Sequence, residues 1–345
     1  MKILHIANTD SYSGAENVIC QIIGMFKGRH DVDFVYVSPD GPIREALAER
    51  NVSFAPVARM CVGELKRVIK EQKPNVIHAH DMKASVVSAF ACGNTKLVLH
   101  LHNNDFANRR LSFKSISYLL PAYKCSHIYY VSESSYFGYL FHTWFRSKSS
   151  VLYNIIDLDA LREKASKDNE EYGYDVIYIG RLTYQKNPSR LLRVFRKLVD
   201  NTPNIRIGMV GTGELDNQVR QEWTYLNLQD NVDLLGFRSN PLKMLGSSKV
   251  MLLTSRWEGT PMCALEAMAL GTPIVTTPVD GMMALIHDGK TGFMSDDDDV
   301  LAEKVNMIVS DEKLRKSMSD ACVADAMARN NADEYVEKIW EVYCK

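Results

Sequence analysis

Short β-branched apolar runs alternate with stretches of helical period along the whole chain. The runs fall at residues 2–7, 32–37, 76–79, 97–101 and 128–131, then at 176–179, 205–210, 232–235, 250–253 and 274–277. Each is followed by turn residues and then by a segment whose apolar positions recur every three to four residues. That alternation predicts βαβ units and mostly parallel sheets buried on both faces. Five runs lie on each side of residues 153–175, so two doubly wound α/β domains are expected, joined there. The connector includes the charged stretch EKASKDNEE, which suits an exposed link or a short helix. The final stretch EYVEKIWEVY has apolar residues at 335, 336, 339, 340 and 343, a single helical stripe.

A length of 345 residues is ample for two cores. The hydrophobic share of 46% and charged share of 24% are those of a globular protein. The net charge of −1 conceals an asymmetry: residues 1–150 carry 18 Lys and Arg against 12 Asp and Glu, and residues 151–345 carry 23 against 30. A basic half suggests that one part faces something anionic, with scatter of solvated charge as the equal alternative. Cysteines at 20, 61, 92, 125, 263, 322 and 344 form no C-x-x-C pair. Their scatter argues against a disulfide framework or a cysteine zinc site and fits a reducing compartment. The opening MKILHIA is too short an apolar run for a signal peptide, and no segment approaches the ~18 apolar residues of a membrane span. A cytoplasmic protein is expected, with peripheral membrane association left open.

The special residues cluster at the carboxyl ends of the expected strands. Gly14 follows the first run, His80-Asp81 the third, His102-Asn103 the fourth and Ser132-Glu133 the fifth. In the second half Gly180-Arg181, Gly211-Thr212-Gly213, Gly236-Phe237 and residues 255–258 do the same. Open α/β sheets bind ligands outside those ends, so two such sheets facing across a cleft would gather both sets. The stretch SRWEGTPMCALEAMALG carries the sharpest signal. Pro261 suits the first position of a helix and Gly271 its end, which predicts a helix over residues 261–270 with a tight turn at Gly259. The N–H groups at such a helix start favour a phosphate oxygen. Glu258 then lies on the loop and Glu266 just over one turn into the helix. A carboxylate that accepts from adjacent hydroxyls can grip a ribose or a sugar ring; the alternative is a capped, solvated helix face.

The chain resembles the retaining nucleotide-sugar glycosyltransferases of family 4, which have the two-domain GT-B fold. The likeness rests on E-G-x-P-x-x-x-x-E-A-x-A-x-G-x-P-I-V at residues 258–275, an E-x7-E motif. It is supported in order by SGAE at 13–16, VLYNIID at 151–157, YIGRLTYQKNP at 178–188, VGTGEL at 210–215, LGF at 235–237 and HDGKTGF at 287–293. It implies an acceptor-side domain over residues 1–155, a nucleotide-sugar domain over 156–329 and a C-terminal helix, 330–345, crossing back onto the first domain. By the same resemblance Arg181 and Lys186 clamp the donor diphosphate, where fixed cations stabilise growing leaving-group charge. Gly14 lets the backbone approach that diphosphate, or is a plain turn glycine. Glu258 holds the transferred sugar and Glu266 the ribose, while Gly259, Thr260, Pro261 and Met262 form the phosphate-facing turn. The loop with Gly211 and Gly213, together with Phe237, surrounds the base; uridine diphosphate is the commoner donor. His102 faces the sugar, with His100 on the same strand face as its rival and a packing role as the other alternative. His80 and Asp81 are acceptor-side candidates. Two motifs depart from the pattern: the double glycine of the first loop is Ser13-Gly14, and P-N-G of the hinge is Tyr153-Asn154-Ile155.

No second carboxylate pairs with these groups as a glycosidase nucleophile would, so a front-face substitution is expected in which the departing phosphate helps deprotonate the acceptor. Two D-x-D hits, Asp31/Asp33 and Asp157/Asp159, carry little information; the cationic clamp supplies the charge a metal would, so no metal cofactor is expected. Arg109, Arg110, Lys114 and Lys124 are interleaved with Phe113, Tyr118, Tyr123, Tyr136, Phe137, Tyr139, Phe141 and Trp144. That mixture suits an anionic membrane surface where lipid-linked acceptors lie, or else helix cores; no motif supports nucleic acid. The expected activity is transfer from a nucleotide sugar to a lipid-linked or glycan acceptor in cell-surface polysaccharide synthesis. A nucleotide-sugar epimerase of the same fold and a non-catalytic nucleotide-sugar-binding protein are the alternatives.

Overall fold

The computed structural model describes residues 1–102 and 106–345. They divide into two compact units, Met1–Ile155 with Asn331–Lys345, and Ile156–Asn330. Unit 1 holds β1 (Lys2–Ile6), β2 (Asp33–Pro39), β3 (Ser53–Val57), β4 (Val76–His80), β5 (Lys96–Leu101), β6 (His127–Tyr130) and β7 (Ser149–Val151). Unit 2 holds β8 (Val176–Ile179), β9 (Ile207–Val210), β10 (Val232–Gly236), β11 (Val250–Leu253), β12 (Ile274–Thr276) and β13 (Gly292–Met294). The sheet orders are β3-β2-β1-β4-β5-β6-β7 and β10-β9-β8-β11-β12-β13, and every pairing is parallel. In each sheet the order reverses beside the first strand, at β1/β4 and at β8/β11. Those reversals are the topological switch points where doubly wound sheets open a crevice at their carboxyl ends.

The sequence pattern predicts ten of the thirteen strands among the described residues, and the other three share one property. β3 and β7 are the two edges of the first sheet, and β13 is an edge of the second. Central strands such as β11, VMLL, are buried throughout. β7 reads SSV and is only partly covered, while β3 carries Pro56, which an edge tolerates because the missing N–H need not enter a ladder. Edge strands need no continuous apolar run.

The C-terminal helix Ala332–Cys344 lies in unit 1 against the helix Gly14–Phe26. Its stripe of Tyr335, Val336, Ile339 and Tyr343 is buried. Trp340 stacks on His30 with ring centres 4.2 Å apart, and Tyr129 Oη donates to the Lys338 carbonyl at 2.8 Å. The connector forms the helix Leu158–Ser166, capped by Asp157, whose Oδ1 accepts from Ala160 N–H at 3.0 Å.

Candidate active site

In unit 2 the loops after β8 and β11 meet at the switch point. Lys186 Nζ lies 2.6 Å from Glu258 Oε1, and both side chains are enclosed, 12% and 5% exposed. Ser255 Oγ donates to the same carboxylate oxygen at 2.5 Å. Gln185 Nε2 bridges the two loops by donating to the Trp257 carbonyl at 3.0 Å and more weakly to Glu258 Oε2 at 3.4 Å. Arg256 binds back to the first loop through its N–H on the Gln185 carbonyl, 2.8 Å, and its Nη2 on Asn187 Oδ1, 3.0 Å. Thr277 Oγ1 donates to the Ser255 carbonyl at 2.7 Å and ties the turn to β12. Burial disfavours the charge on Lys186, but the adjacent Glu258 carboxylate outweighs it and holds the ammonium above its ordinary range.

The helix of the opening motif spans Met262–Ala269. Pro261 is its N-cap, not its first helical residue as expected from sequence: its ψ of 122° is extended, and its carbonyl accepts from the Ala264 and Leu265 N–H groups. The N–H groups of Met262 and Cys263 therefore precede the helical ladder. Gly271 closes the helix with φ of 76°, the left-handed geometry of a C-terminal stop. Glu266 is partly buried on this helix, and Cys263 lies near Lys186, Glu258 and Glu266, its thiol pushed by burial to about 12.

The glycines act through close backbone approach. Gly211, at φ 137°, would place a Cβ 1.9 Å from the Gly180 carbonyl oxygen, and one on Gly213 would lie 2.4 Å from the Leu182 carbonyl oxygen. Leu182 N–H donates to the Thr212 carbonyl at 2.9 Å, so the loops after β8 and β9 pack main chain to main chain. Tyr178 is buried beneath them and donates to the Arg181 carbonyl at 3.1 Å. Arg181 itself is exposed, as is Phe237 after β10. Gly281, which sequence reasoning passed over, backs the motif loop: a Cβ there would lie 1.6 Å from the Gly259 carbonyl oxygen. Gln185 and Cys263 were also missed; Ser255 stood out at its strand end, three residues before Glu258, but was given no role.

In unit 1, Gly14 is the exposed first residue of its helix, and a Cβ there would meet nothing within 4 Å among the described residues. The cap is built by Ser13, whose N–H and Oγ both bond Glu16 Oε2, at 3.1 and 2.5 Å. At the β1/β4 switch point Asp81 has φ of 68° and ψ of 169°, a region costly for any residue but glycine. Its carboxylate accepts from Ala84 N–H at 3.0 Å and Asn8 N–H at 3.2 Å. Burial nevertheless pushes its pKa up to about 6. His80 and His102 are buried and joined, Nδ1 to Nε2, at 2.8 Å. His100 is fully enclosed, whereas His102 at the strand end retains 8% exposure. Burial drives His102 down to about 3, so it is a neutral imidazole. Asn103, which follows His102, lies outside the described residues.

The aromatic stretch after β5 divides. Tyr118 and Tyr139 are buried, while Leu111, Phe113, Tyr123, Phe137 and Trp144 are exposed, Phe113 to 90%. Among the described residues no helix is long and apolar enough to cross a membrane.

Two parallel-sheet Rossmann-like units in series, one with a buried cation–carboxylate pair at its switch point, define the GT-B class of fold. Two family models divide the chain almost end to end: "Glycosyltransferase Family 4" over residues 12–160 and "Glycosyl transferases group 1" over residues 159–322. The protein is a GT-B glycosyltransferase. A glycosyltransferase of Methanocaldococcus jannaschii is 29% identical over 62% of this chain, and the match spans 58% of that relative. The UDP-Gal:alpha-D-GlcNAc-diphosphoundecaprenol alpha-1,3-galactosyltransferase of Escherichia coli is 24% identical over 99% of this chain and 96% of its own length. The structure of Anabaena HepE in complex with UDP and glucose superposes with a TM-score of 0.85 at 22% identity, covering 100% of both chains.

Proposed function

We propose that the protein is a retaining glycosyltransferase that moves a sugar from a uridine diphosphate donor to a lipid-linked saccharide acceptor during cell-surface polysaccharide synthesis. The observation that carries the reading is the buried Lys186–Glu258 pair at the β8/β11 switch point, next to the start of the helix Met262–Ala269. A cation and helix N–H groups converging at one strand end suit a diphosphate leaving group, whose charge grows as the glycosidic bond breaks. In this reading Arg181 and Lys186 hold the diphosphate, Glu266 the ribose, and Phe237 with the loop of Gly211 and Gly213 the base. Glu258 does two things: it orients Lys186 and accepts hydrogen bonds from the transferred sugar. Unit 1 carries the remaining assignments: Gly14 near phosphate, His102 as a neutral partner for a sugar hydroxyl, and His80 and Asp81 on the acceptor side.

Retention follows a front-face course in this proposal. The bond from the anomeric carbon to the β-phosphate oxygen breaks, its electron pair stays on the phosphate, and the acceptor oxygen bonds to the same face while its proton passes to that phosphate. The E. coli relative's name specifies a polyprenyl-diphosphate-linked acceptor, and the exposed Phe113, Tyr123 and Trp144 beside a basic stretch suit a lipid surface.

The test is a panel of nucleotide sugars screened by thermal stabilisation, then assayed with lipid-linked diphosphate saccharides. UDP and one UDP-sugar should stabilise the protein, and UDP release should require acceptor, with the anomeric configuration kept. Turnover of the nucleotide sugar without acceptor would favour epimerisation, and no stabilisation by any nucleotide diphosphate would overturn the donor site.

A further inference from the structure

Unit 1 holds five histidines on one face of three adjacent strands: His5 on β1, His78 and His80 on β4, His100 at the end of β5 and His102 just beyond it. His5 pairs in register with His78, and His80 with His100; alternate residues of a strand share a face. His5, His78, His80 and His100 are at most 1% exposed. The glycosyl-transfer reading uses only His80 and His102 and leaves the density of buried imidazole unexplained.

We propose that His5, His78 and His80 form a buried three-histidine site for a late first-row divalent cation of the zinc class. The ligand nitrogens of this triad all lie within 4.8 Å of one another. Imidazole suits zinc, copper, iron and nickel. Ligating histidines are held at their other ring nitrogen by an outer partner, and two of the three have one. His78 Nδ1 is 2.6 Å from the buried Tyr343 hydroxyl, and His80 Nδ1 is 2.8 Å from His102 Nε2. Among the described residues that leaves His78 Nε2 and the outer His5 Nε2 with no partner, and His80 Nε2 facing His5 Nδ1 at 2.8 Å.

A single proton between His5 and His80 accounts for that 2.8 Å but does nothing for His78 Nε2, a buried polar atom left unpaired. A cation between all three would give His78 Nε2 a partner as well, with His5 Nδ1 and His80 Nε2 parting from 2.8 Å to the roughly 3.3 Å that metal–nitrogen bonds of about 2.0–2.1 Å set in a tetrahedral site. The overlapping triad of His80, His100 and His102 lies within the same limit, but among the described residues neither His100 nitrogen nor His102 Nδ1 has a partner, so one of its three members has outer support, against two of three in the first triad. Tyr343 comes from the C-terminal helix, so the ion would also pin that helix to the sheet.

The site has a consequence for His102. A neutral imidazole that ligates through Nε2 carries its proton on Nδ1. A metal on His80 Nε2 therefore makes His80 the donor to His102 Nε2 and places the His102 proton on its outer Nδ1. The ion is structural and supplies no charge to the diphosphate, so the inference stands independently of the donor-site reading.

The experiment measures metal in the full-length protein with any purification tag removed. Protein grown with zinc supplementation is analysed by elemental analysis. A second sample, unfolded and refolded with Co²⁺, is read by visible absorption, because a buried site fills as the chain folds. About one equivalent of zinc, with cobalt bands of low coordination number, is expected. Both should vanish in His80→Gln and persist in His127→Gln and His287→Gln. Tyr343→Phe removes only the outer hydroxyl and should weaken zinc affinity about tenfold or more; it keeps the inference testable if His80→Gln fails to fold. Less than about a tenth of an equivalent in both samples, or retention unchanged in both His80→Gln and Tyr343→Phe, overturns the site.

Discussion

The ammonium of Lys186 and the carboxylate of Glu258 form an enclosed ion pair, 2.6 Å apart, at the carboxyl ends of β8 and β11. Removing one partner of such a pair strands a buried charge, whereas replacing both by apolar groups removes the desolvation cost as well. Lys186→Met and Glu258→Leu should each destabilise the protein by about 3–5 kcal/mol. The double variant should lie much nearer to the natural protein in denaturant unfolding. Additive losses would show that the two side chains are not coupled.

The same pair predicts how nucleotide binding divides. Because Glu258 already neutralises Lys186, Glu258→Gln frees the ammonium for a diphosphate and should leave UDP affinity within about twofold, or tighter, while transfer collapses. Lys186→Ala and Glu266→Ala should each weaken UDP by about tenfold or more, the scale of a lost hydrogen bond to a charged group. Calorimetric titration with UDP decides it. Equal weakening in Glu258→Gln and Glu266→Ala would refute the division between sugar and ribose.

The parts of the fold legible in the sequence are those that burial forces to be apolar. β8 and β11 stand at the centre of their sheet and read VIYI and VMLL, so their runs are unmistakable. β7 reads SSV and β13 GFM, because an edge strand is covered on fewer sides. The candidate site shows the same contrast. Glu258 and Glu266 stood out as acids in an apolar stretch, and Lys186 through its motif. The pairing of Lys186 with Glu258 spans 72 residues of sequence, and no local pattern encodes such a distance. Gly281 was invisible because its requirement is set by a carbonyl more than twenty residues away.

That requirement gives a prediction of its own. A methyl group at residue 281 would overlap the Gly259 carbonyl oxygen, at 1.6 Å, so Gly281→Ala must displace the loop between Glu258 and Pro261. Overpacking of this kind costs about 1–3 kcal/mol. The variant should also lose UDP affinity, although residue 281 is not assigned a ligand contact. Gly14→Ala is the contrast: a Cβ there meets nothing within 4 Å among the described residues, so stability should be unchanged. A Gly281→Ala protein with natural UDP affinity would show that the loop's position does not govern donor binding.

The cysteines predict an order of chemical modification. Cys61 is the N-cap of the helix Val62–Gln72, and its pKa is lowered, first by a hydrogen bond from the Glu64 N–H and then with help from Arg59. A lowered pKa means more thiolate at a given pH, so its alkylation should rise at lower pH than that of an ordinary thiol. Burial pushes Cys20, Cys125, Cys263 and Cys322 up to about 12, so they should stay unmodified near neutral pH until the protein opens. Iodoacetamide labelling between about pH 6 and 9, mapped by mass spectrometry, reads the order. Cys263 reacting as fast as Cys61 would contradict the raised pKa of its thiol beside Lys186 and Glu258.

The exposed aromatics after β5 decide whether unit 1 meets a lipid surface. Phe113, Tyr123 and Trp144 are 90%, 79% and 68% exposed, although Tyr118 and Tyr139 in the same stretch are buried. Core packing therefore explains the latter pair and not the former three. Arg110, Lys114 and Arg146 lie in the same stretch, so attraction to anionic lipid should act together with apolar insertion. Each buried aromatic adds about 1.5–3 kcal/mol if fully withdrawn from water. Phe113→Ser with Trp144→Ser should then lower binding to phosphatidylglycerol vesicles by tenfold or more and leave UDP affinity untouched. Raising the salt should weaken the natural protein's binding, and phosphatidylcholine vesicles should bind little, because screening removes the electrostatic part. Co-sedimentation that is indifferent to lipid charge, salt and both substitutions would mean that the lipid-linked acceptor is reached without this surface.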